Sequence, residues 1–449
     1  MSKTFDLVVI GSGSAGHTAA TTCRARGWSV AIVDERPFGG TCQLRGCDPK
    51  KVLVNAARVV DDAQRLVEKG VLDRVPVLQW RELMRFKRTF TDPVPERWSK
   101  VYEKAGIVAM HGRATFSGER TLFVDGESLE AKHVVIASGA MTQHVAPGDE
   151  MLMDSEGFLD LEELPRSLIF VGGGYIAFEF AHVVARAGAK VTILHRGARP
   201  LESFDDDAVA RLAELTRGLG VDLQLGTTVT GVRKEAGEIV ISAESVGAKH
   251  DFRASAGILA AGRVANVDGL CLERGNVART KRGVEVNAYL QSVSNPAVYA
   301  AGDAADAGGL PLTPVAGNEG EIVAANLLDG NRRTADFRGL TSMVYTIPSL
   351  GATGLSEASA RERGIAYEVH VGDMRDWYST RTVAGREAFY KIVIEKSSGK
   401  VLGATIVGPH AEEQINVFAL AIRAGVDGAM LREAFFAYPT GSSDLEYML

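Results

Sequence analysis

The chain has 449 residues, of which 46% are hydrophobic and 24% charged, and its formal net charge at pH 7 is −6. This length allows two to four domains with large cores, and the acidic balance argues against a nucleic-acid-binding protein. Four cysteines are too few for a disulfide scaffold, and no apolar run reaches the length of a membrane span, so we expect a cytoplasmic protein without a membrane partner.

The first 34 residues have the pattern of a dinucleotide-binding unit. A short apolar run, Leu7–Ile10, predicts a buried parallel strand, and the glycine-rich loop Gly11–Gly16 follows at once. A helix of small residues comes next, and a second strand over Ser29–Val33 ends at Asp34. The glycines permit a tight turn, the helix N-terminus faces a pyrophosphate, and the acid accepts from a ribose hydroxyl. This order of elements predicts dinucleotide binding.

Two of the four cysteines, Cys42 and Cys47, lie five residues apart in the stretch Gly39–Lys51. Small residues precede the first cysteine, and Lys50 and Lys51 follow the second. Such a pair can cycle between dithiol and disulfide, with flanking cations that stabilise a thiolate. The other interpretation is two structural thiols that happen to be close. We predict a helix that begins in this stretch and continues towards Gly70.

A second glycine-rich loop, Gly172–Ala177, follows the predicted strand Leu168–Val171. Alanine in place of the third glycine is a change that the fingerprint allows. The next predicted strand, Val191–Leu194, is followed by His195 and Arg196, with Arg199 close behind. An acid here would select NAD, whereas arginines could bind the 2′-phosphate of NADP; the other interpretation is a pair of surface arginines. Two such units in one chain suggest two different cofactors.

The last third of the chain begins with a strand over Val298–Ala300 that ends in Gly302-Asp303, and Leu312–Ala316 opens a helix. Beyond about residue 334 the character changes. The runs Tyr390–Ile394 and Leu402–Val407 predict antiparallel strands, and a helix is expected over 412–424.

Taken together, these motifs resemble the flavin disulfide reductases, which include glutathione reductase, dihydrolipoamide dehydrogenase and mercuric reductase. The resemblance implies an α/β protein with two Rossmann-like dinucleotide-binding domains and a C-terminal α+β dimerisation domain. It places an FAD-binding domain at 1–147 and 264–333, an NAD(P)H-binding domain at 148–263, and the dimerisation domain at 334–449. A homodimer is therefore expected.

The resemblance also implies the chemistry: electrons pass from NADPH, rather than NADH, through FAD to the Cys42–Cys47 disulfide and on to a small-molecule acceptor. Cys47 matches the thiol that faces the flavin, and Cys42 the interchange thiol that meets the acceptor. Lys50 matches a lysine beside the flavin that pairs with a glutamate, here Glu179. Tyr175 matches an aromatic gate over the flavin; Lys50 and Tyr175 could instead be a surface lysine and a core tyrosine. The positions assigned to cofactor binding are Gly11, Gly13, Gly16, Asp34, Gly40, Thr41, Lys50, Ser138, Gly139, Gly172, Gly174, Tyr175, Arg196, Arg199, Gly262, Arg263, Gly302, Asp303, Thr313 and Ala316.

The chain departs from the family pattern near its C-terminus. The family carries a histidine that shuttles a proton at the partner's interchange thiol, and Tyr438 stands in its place. Tyrosine is a poor base at neutral pH, so we expect weak activity on glutathione disulfide and lipoamide. Tyr438 could instead only pack at the dimer interface. Mercuric reductases resemble the chain in carrying this tyrosine, although the chain lacks their C-terminal cysteine pair, and we assign no metal site.

Three alternatives to a disulfide reductase stay open at this point: a mercuric-type metal reductase, a quinone or dioxygen reductase on the same fold, and a non-enzymatic redox sensor.

Overall fold

The computed structural model describes residues 3–449, and Met1 and Ser2 lie outside the described part. Among these residues, none of the helices is both long and apolar enough to cross a membrane. The chain divides into two compact units. Unit 1 comprises residues 1–50, 85–143 and 262–336, and unit 2 comprises residues 51–84, 144–261 and 337–449.

The strands follow one another along the described residues as β1 (Lys3–Ile10), β2 (Val30–Asp34), β3 (Val108–His111), β4 (Ala114–Gly118), β5 (Thr121–Val124), β6 (Glu127–Ile136), β7 (Ala140–Thr142), β8 (Ser167–Val171), β9 (Lys190–Leu194), β10 (Asp222–Gln224), β11 (Thr227–Glu235), β12 (Glu238–Ser245), β13 (Ala248–Ala254), β14 (Ala256–Leu259), β15 (Arg263–Ala265), β16 (Arg279–Thr280), β17 (Gly283–Glu285), β18 (Val298–Ala300), β19 (Ala305–Asp306), β20 (Thr341–Val344), β21 (Ser349–Gly354), β22 (Tyr367–Asp373), β23 (Phe389–Glu395) and β24 (Val401–Gly408).

The α-helices are α1 (Ser14–Ala25), α2 (Gly40–Arg45), α3 (Cys47–Glu68), α4 (Trp80–Thr91), α5 (Val94–Ala105), α6 (Ser155–Leu159), α7 (Tyr175–Arg186), α8 (Asp206–Gly218), α9 (Thr313–Asp329), α10 (Glu357–Glu362), α11 (Tyr378–Thr382), α12 (Ala411–Ala424), α13 (Gly428–Arg432) and α14 (Leu445–Met448). Short 3₁₀ helices lie at Asp149–Met151, Asp268–Leu270, Leu272–Gly275, Gly302–Ala304 and Gly441–Asp444.

Unit 1 is built on one mixed sheet in the order β3-β2-β1-β6-β5-β4, with β18 also paired to β6. The pairs β1–β2, β1–β6, β2–β3 and β6–β18 are parallel, and β4, β5 and β6 form an antiparallel meander. Strand β1 lies in the interior of this sheet because its residues are apolar. Leu7, Val8 and Val9 are fully buried, so both faces of the strand are covered. In an open sheet of this kind ligands bind beyond the carboxyl ends of the parallel strands, where the loop after β1 lies.

Unit 2 contains a parallel sheet in the order β10-β9-β8-β14 and an antiparallel sheet β11-β12-β13. Its third sheet is antiparallel, in the order β20-β21-β24-β23-β22. Helix α7 is apolar nearly all round, and its buried residues pack into a core cluster with Phe170 of β8 and Ile193 of β9. Helix α12 buries Ile415 and Phe418 in the cluster that also contains Ile392 and Ile406 of the third sheet. The strands predicted around 390 and 402 are confirmed as β23 and β24.

The predicted strands and helices at both glycine-rich loops are confirmed, with bounds that differ by one to four residues. The helix predicted to begin in the cysteine stretch and continue towards Gly70 is confirmed as α3. The cysteine stretch is not one continuous helix, because α2 ends at Arg45 and α3 starts at Cys47. Gly46 separates them with φ −144° and ψ −112°, far from helical values. The two cysteines therefore lie on two different helices, with only Cys47 at the start of the long one.

Candidate active site

The loop between β1 and α1 is a tight phosphate-type turn. Gly11 has φ +101°, and a Cβ there would lie 2.2 Å from the carbonyl oxygen of Ala137. A Cβ on Gly16 would lie 2.0 Å from the carbonyl oxygen of Gly11. Gly13 caps α1 in extended conformation and faces Gly40, where a Cβ would lie 2.4 Å from the Gly13 Cα. The glycines thus let the loop pack closely at the start of α1, where the partial positive charge of the helix N-terminus suits a pyrophosphate.

Asp34, at the end of β2, is tied to this loop through Ser12. The Ser12 N–H and Oγ–H both donate to Oδ2 of Asp34, at 2.8 and 2.6 Å, and the Arg36 N–H donates to Oδ1 at 2.9 Å. A carboxylate has about four lone-pair positions, so acceptor capacity remains for a ribose hydroxyl. The Gly39 N–H in turn donates to the Ser12 hydroxyl at 3.2 Å, which joins this loop to the turn before α2.

The remaining unit 1 positions assigned to a flavin cofactor lie at two turns and a helix start. The buried Ser138 hydroxyl finds no hydrogen-bond partner within residues 3–449, and Gly139 follows it at φ +71°. Gly302 (φ +67°) and Asp303 form a turn in which burial raises the pKa of the Asp303 carboxyl. An unpaired buried hydroxyl and a desolvated carboxyl are groups that a polar ligand satisfies, so these residues fit FAD.

Two further polar side chains border the Asp303 turn. The Arg263 guanidinium donates to the Ala140 carbonyl oxygen, and its charge favours the ionised form of Asp303. Glu319 of α9 is 2% exposed and accepts from the Gly302 N–H at 2.7 Å. Burial raises the pKa of Glu319 to about 7. Gly262, which directly precedes Arg263, has φ +125°. Ala316 lies beside the turn, since a Cβ on Gly302 would lie 3.3 Å from the Ala316 Cβ.

The two cysteines are free thiols in unequal surroundings. Cys47 is exposed and Cys42 half-buried. The Cys47 Sγ lies 3.4 Å from the hydroxyl of Thr313, the first residue of α9, and the Cys42 Sγ lies 3.8 Å from an oxygen of the Asp48 carboxylate. Cys47 also begins α3, whose N-terminal partial charge favours a thiolate.

These surroundings move the two pKa values apart. The pKa of Cys47 falls to about 6, because Cys42 donates a hydrogen bond to it, helped by the Thr313 hydroxyl and the charge of Lys50. The pKa of Cys42 rises, because it is the donor to Cys47 and because it is partly desolvated. The surroundings of the pair thus favour the thiolate on Cys47 and the protonated thiol on Cys42.

The loop of unit 2 repeats the backbone device of unit 1. Gly172 has φ +115°, and a Cβ there would lie 2.2 Å from the carbonyl oxygen of Ala260. Gly174 caps α7 in extended conformation, and Ala177 is fully buried where the first loop has its third glycine. Tyr175, the first residue of α7, is 43% exposed. An exposed aromatic at the helix start is compatible with the gate role, which stays a prediction.

Where β9 ends, the three candidate residues are in different situations. The His195 Nε2 donates to the Arg199 carbonyl oxygen at 2.9 Å, and its ring lies so near Gly173 that a Cβ there would be 2.6 Å from the His195 Cγ. The Arg199 guanidinium donates to the carbonyl oxygens of Phe204 and Glu202 and pairs with Asp206 at 2.9 Å. Arg196 is exposed. Arg199 is thus occupied by its own loop, which leaves Arg196 as the arginine open to a ligand.

Glu179 of α7 is 1% exposed and accepts from the Tyr345 N–H at 2.7 Å. One turn later His182, fully buried and held neutral by desolvation that lowers its pKa, accepts from the Ile347 N–H at Nδ1 (3.2 Å). Arg186 follows and pairs with Asp61 at 2.8 Å. This face of α7 fixes the segment before β21. Lys50 lies in unit 1, and its pairing with Glu179 stays a prediction.

The Tyr438 side chain is 80% exposed. In the segment that follows, Thr440 and Ser443 form a reciprocal capping box at the start of a short 3₁₀ helix, so their side chains bond within the segment. Within residues 3–449, no group of three or more His, Cys, Asp or Glu side chains is arranged to hold a metal ion.

The structure reveals site residues that the sequence patterns did not single out: Ser12, Gln43 and Glu319. Ser12 occupies the variable position between two glycines, which could have drawn attention because a hydroxyl there can reach the acid at the end of β2. No pattern in the sequence marks Gln43 or Glu319, since their partners, Trp98 and Gly302, are distant in the chain.

Comparison with known families agrees with this geometry. The family model described as pyridine nucleotide-disulphide oxidoreductase matches residues 5–320, and the model of its dimerisation domain matches residues 340–449. Within the curated relatives, a glutathione reductase from Burkholderia cepacia is 33% identical over 97% of this chain and 96% of its own length. A mercuric reductase from Streptomyces lividans is 31% identical over 98% and 95% of the two chains.

A dihydrolipoyl dehydrogenase from Bacillus subtilis is 30% identical over 99% of this chain and 97% of its own length. Among solved structures, the Cu(II) complex of the HOCl-induced flavoprotein disulfide reductase RclA from Escherichia coli superimposes with a TM-score of 0.88. It is 27% identical, and the match covers 100% of this chain and 99% of that one.

Proposed function

The chain belongs to the pyridine nucleotide-disulphide oxidoreductase family, and on that premise we propose that its cysteine pair reduces an acceptor that needs no proton from the enzyme. Membership makes the protein a flavin-dependent oxidoreductase that uses FAD and NAD(P)H, as expected from the sequence. The observation that carries the proposal is Tyr438 in the place where the family has its proton-shuttling histidine, in a chain with no histidine beyond His410.

The residues that would hold FAD are those of the Gly11–Gly16 loop, Asp34, Ser138 and the Gly302–Asp303 turn. When bound, FAD supplies the two-electron carrier between the nicotinamide and the thiols. In this proposal Cys47 is the thiol beside the flavin and Cys42 the thiol that meets the acceptor. Gly40 and Thr41, the first residues of α2, carry Cys42 next to the cofactor loop.

A disulfide acceptor makes two demands on Cys42. The thiol must lose its proton before it attacks, and the leaving thiolate must then gain one. A histidine meets both demands because its pKa lies near the operating pH, and a positioned group of this kind contributes about 10²–10⁴-fold. None of the nine histidines lies beyond His410, and Tyr438 occupies the matching place.

A metal ion makes only the first demand, because no thiolate leaves it and so no leaving group needs a proton. Oxidation of the two thiols to the disulfide releases two electrons and two protons; two Cu(II) ions take one electron each and become Cu(I), while the protons pass to solvent. Metal binding itself displaces thiol protons. The Cu(II) complex of RclA, which shares the fold over the whole chain, supports this class of acceptor.

A disulfide with an acidic leaving thiol is the second candidate, because its leaving group needs no proton. The name of one curated relative, glutathione reductase, and the description of the family as disulphide oxidoreductases favour a disulfide substrate in general.

For the nicotinamide nucleotide we propose NADPH. Arg196 is exposed beside the second loop, and His195 stands where an acid would repel a 2′-phosphate. Because Arg199 is bonded within its own loop, we assign it to holding the loop after β9, and we assign Arg196 to contact with the 2′-phosphate of NADPH.

The dimerisation domain supports a homodimer. We propose a cytoplasmic location, because Cys23 and Cys271 are also free thiols and free thiols persist in reducing compartments. The division into FAD-binding, NAD(P)H-binding and dimerisation segments at 147, 263 and 333 stays part of the proposal.

Steady-state consumption of NADPH with an acceptor panel tests the function. We expect turnover with Cu(II) to exceed turnover with glutathione disulfide or lipoamide, and Cys42→Ser to abolish it. If Cys42→Ser retained full Cu(II) turnover, the thiol route would be wrong.

A further inference from the structure

The short helix α2, which carries Cys42, is held on one side by helix α5. Gln43 is the residue next to Cys42, and its Oε1 accepts two hydrogen bonds: from the Trp98 Nε1 at 2.9 Å and from the Arg97 Nη2 at 2.8 Å. Both donors belong to α5, 54 and 55 residues further along the chain. One oxygen therefore joins the cysteine helix to a distant element.

The same part of α5 packs against the turn that starts α2. Gly39 has φ +129°, and a Cβ there would lie 2.5 Å from Val94 Cγ1 and 3.2 Å from Trp98 Cδ1. The Trp98 ring also lies 4.0 Å from the His17 ring, which directly follows the Gly11–Gly16 loop. Trp98 thus contacts both the cofactor-loop helix α1 and the cysteine helix α2.

The other attachments of α2 hold its first residues. Gly39 donates to Ser12, and Gly40 lies against Gly13, so the N-terminal end of α2 is fixed to the cofactor loop. At its other end Gly46 breaks the helical path before Cys47. Cys42 lies between the fixed N-terminal end of α2 and the break at Gly46. The side chain of the next residue, Gln43, is hydrogen-bonded to α5.

We propose that Gln43, held by Trp98 and Arg97, is a positioning residue for Cys42 that keeps its sulfur in reach of Cys47. Reactions between two groups held in one molecule depend steeply on how well their geometry is maintained. Loosening α2 therefore disfavours the Cys42–Cys47 disulfide relative to the dithiol. This inference rests on the proposed function only in taking the pair as redox-active.

The test measures the thiol–disulfide equilibrium of the FAD-containing protein in buffers of reduced and oxidised dithiothreitol. In this exchange Cys42 and Cys47 lose two electrons and two protons to oxidised dithiothreitol, which becomes the dithiol. Alkylation and mass spectrometry then count the free thiols. For Gln43→Met, which keeps length and removes the acceptor, we expect the equilibrium constant for disulfide formation to fall roughly tenfold.

Trp98→Phe removes the donor but keeps a ring against His17, and we expect a smaller fall in the same direction. The double variant should match Gln43→Met alone, because Gln43→Met already removes the acceptor of the Trp98 hydrogen bond. Glu96→Gln is the matched control on α5, since Glu96 pairs only with the exposed Lys100 at 2.5 Å among the ion pairs of the described chain.

An equilibrium constant within twofold of wild type for both Gln43→Met and Trp98→Phe would overturn the inference. A loss of FAD or of thermal stability without any change in the thiol–disulfide equilibrium would also overturn it, since these residues would then only stabilise the fold. The proposed function would survive either result, because no acceptor takes part in the measurement. Should Gln43→Met fail to retain FAD, Trp98→Phe decides the question.

Discussion

The two glycine-rich loops share one backbone design, and one pair of contacting residues in each sets them apart. In each, the first glycine has a positive φ and lies against a carbonyl from a neighbouring strand end, Ala137 in one case and Ala260 in the other. The residue after that glycine is Ser12 in unit 1 and Gly173 in unit 2. Its partner at the end of the second strand is Asp34 in unit 1 and His195 in unit 2.

The chemistry of each pair follows from size. Ser12 donates two hydrogen bonds to the Asp34 carboxylate, whereas Gly173 leaves the space that the His195 ring occupies. The first pair keeps an acceptor for ribose hydroxyls, and the second removes the negative charge that would repel a 2′-phosphate. The two loops thus share a backbone and differ in the charge that the second residue of each pair presents. The first loop alone is followed by a cysteine pair.

Copying the serine of the first loop into the second should have the largest effect. In Gly173→Ser the new Cβ would lie 2.6 Å from the His195 Cγ, so the imidazole must move. Overpacking of this kind costs up to about 3 kcal/mol, and we expect the KM for NADPH to rise roughly hundredfold with FAD content unchanged. Gly218→Ser, at a position with open space around it, is the control. A KM within threefold of wild type would refute the role of Gly173.

The next largest effect is expected at the acid of the first loop. Asp34→Asn replaces one acceptor oxygen by a donor, so a hydrogen bond from Ser12 or Arg36 is lost. We expect FAD binding to weaken by about 2 kcal/mol while NADPH affinity is retained. Titration of the apoprotein with FAD, followed by flavin fluorescence, measures this. Asp329→Asn is the control, because Asp329 makes an exposed ion pair with Arg26. Equal affinity in both variants would contradict the assignment.

A smaller effect distinguishes the two arginines of the second loop. Arg196→Ala should lower kcat/KM for NADPH roughly tenfold and leave that for NADH unchanged, since a charge-assisted contact contributes about 1.5 kcal/mol. Arg199→Ala should instead lower the melting temperature, because it loses the bonds to Phe204 and Glu202. If Arg199→Ala changed the NADPH-to-NADH ratio more than Arg196→Ala, the roles would be reversed.

The smallest effect is expected on the pKa of Cys47, whose cysteine pair follows the first loop and has no counterpart after the second. Thr313→Val removes a hydroxyl 3.4 Å from the Cys47 Sγ, so the pKa of Cys47 should rise from about 6 by less than about one unit. The thiolate is present above this pKa and is lost as the pH falls through it, so the loss should begin at higher pH in the variant. Alkylation of Cys47 from pH 4 to 9, read by peptide mapping, reports it. An unchanged midpoint, equal to that of the exposed Thr89→Val control, would exclude Thr313.

Much of this architecture could be predicted from the sequence because the signals are local. Leu7–Ile10 and Leu168–Val171 are continuous apolar runs followed directly by glycines, so strand, turn and helix follow from adjacent residues. The family resemblance carried the order of the remaining segments, and the family models match the chain in that order.

What could not be predicted depends on contacts between distant residues. The bond from Trp98 to Gln43 spans 55 positions, and the engagement of Arg199 depends on how its loop folds back to Phe204. The break at Gly46 was not predicted, because α2 has only six residues and is too short for a helical period to separate it from α3. The backbone angles of Gly46 show that the chain leaves the helical conformation there.

The most direct test of the account compares acceptors in one enzyme and its Tyr438→His variant. The initial rate of NADPH oxidation is measured with Cu(II), with glutathione disulfide and with lipoamide, alongside the rate at which the flavin is reduced. The account predicts that the wild type is fast with Cu(II) and slow with both disulfides, and that histidine raises only the disulfide rates. Wild-type turnover of glutathione disulfide or lipoamide as fast as flavin reduction would contradict it.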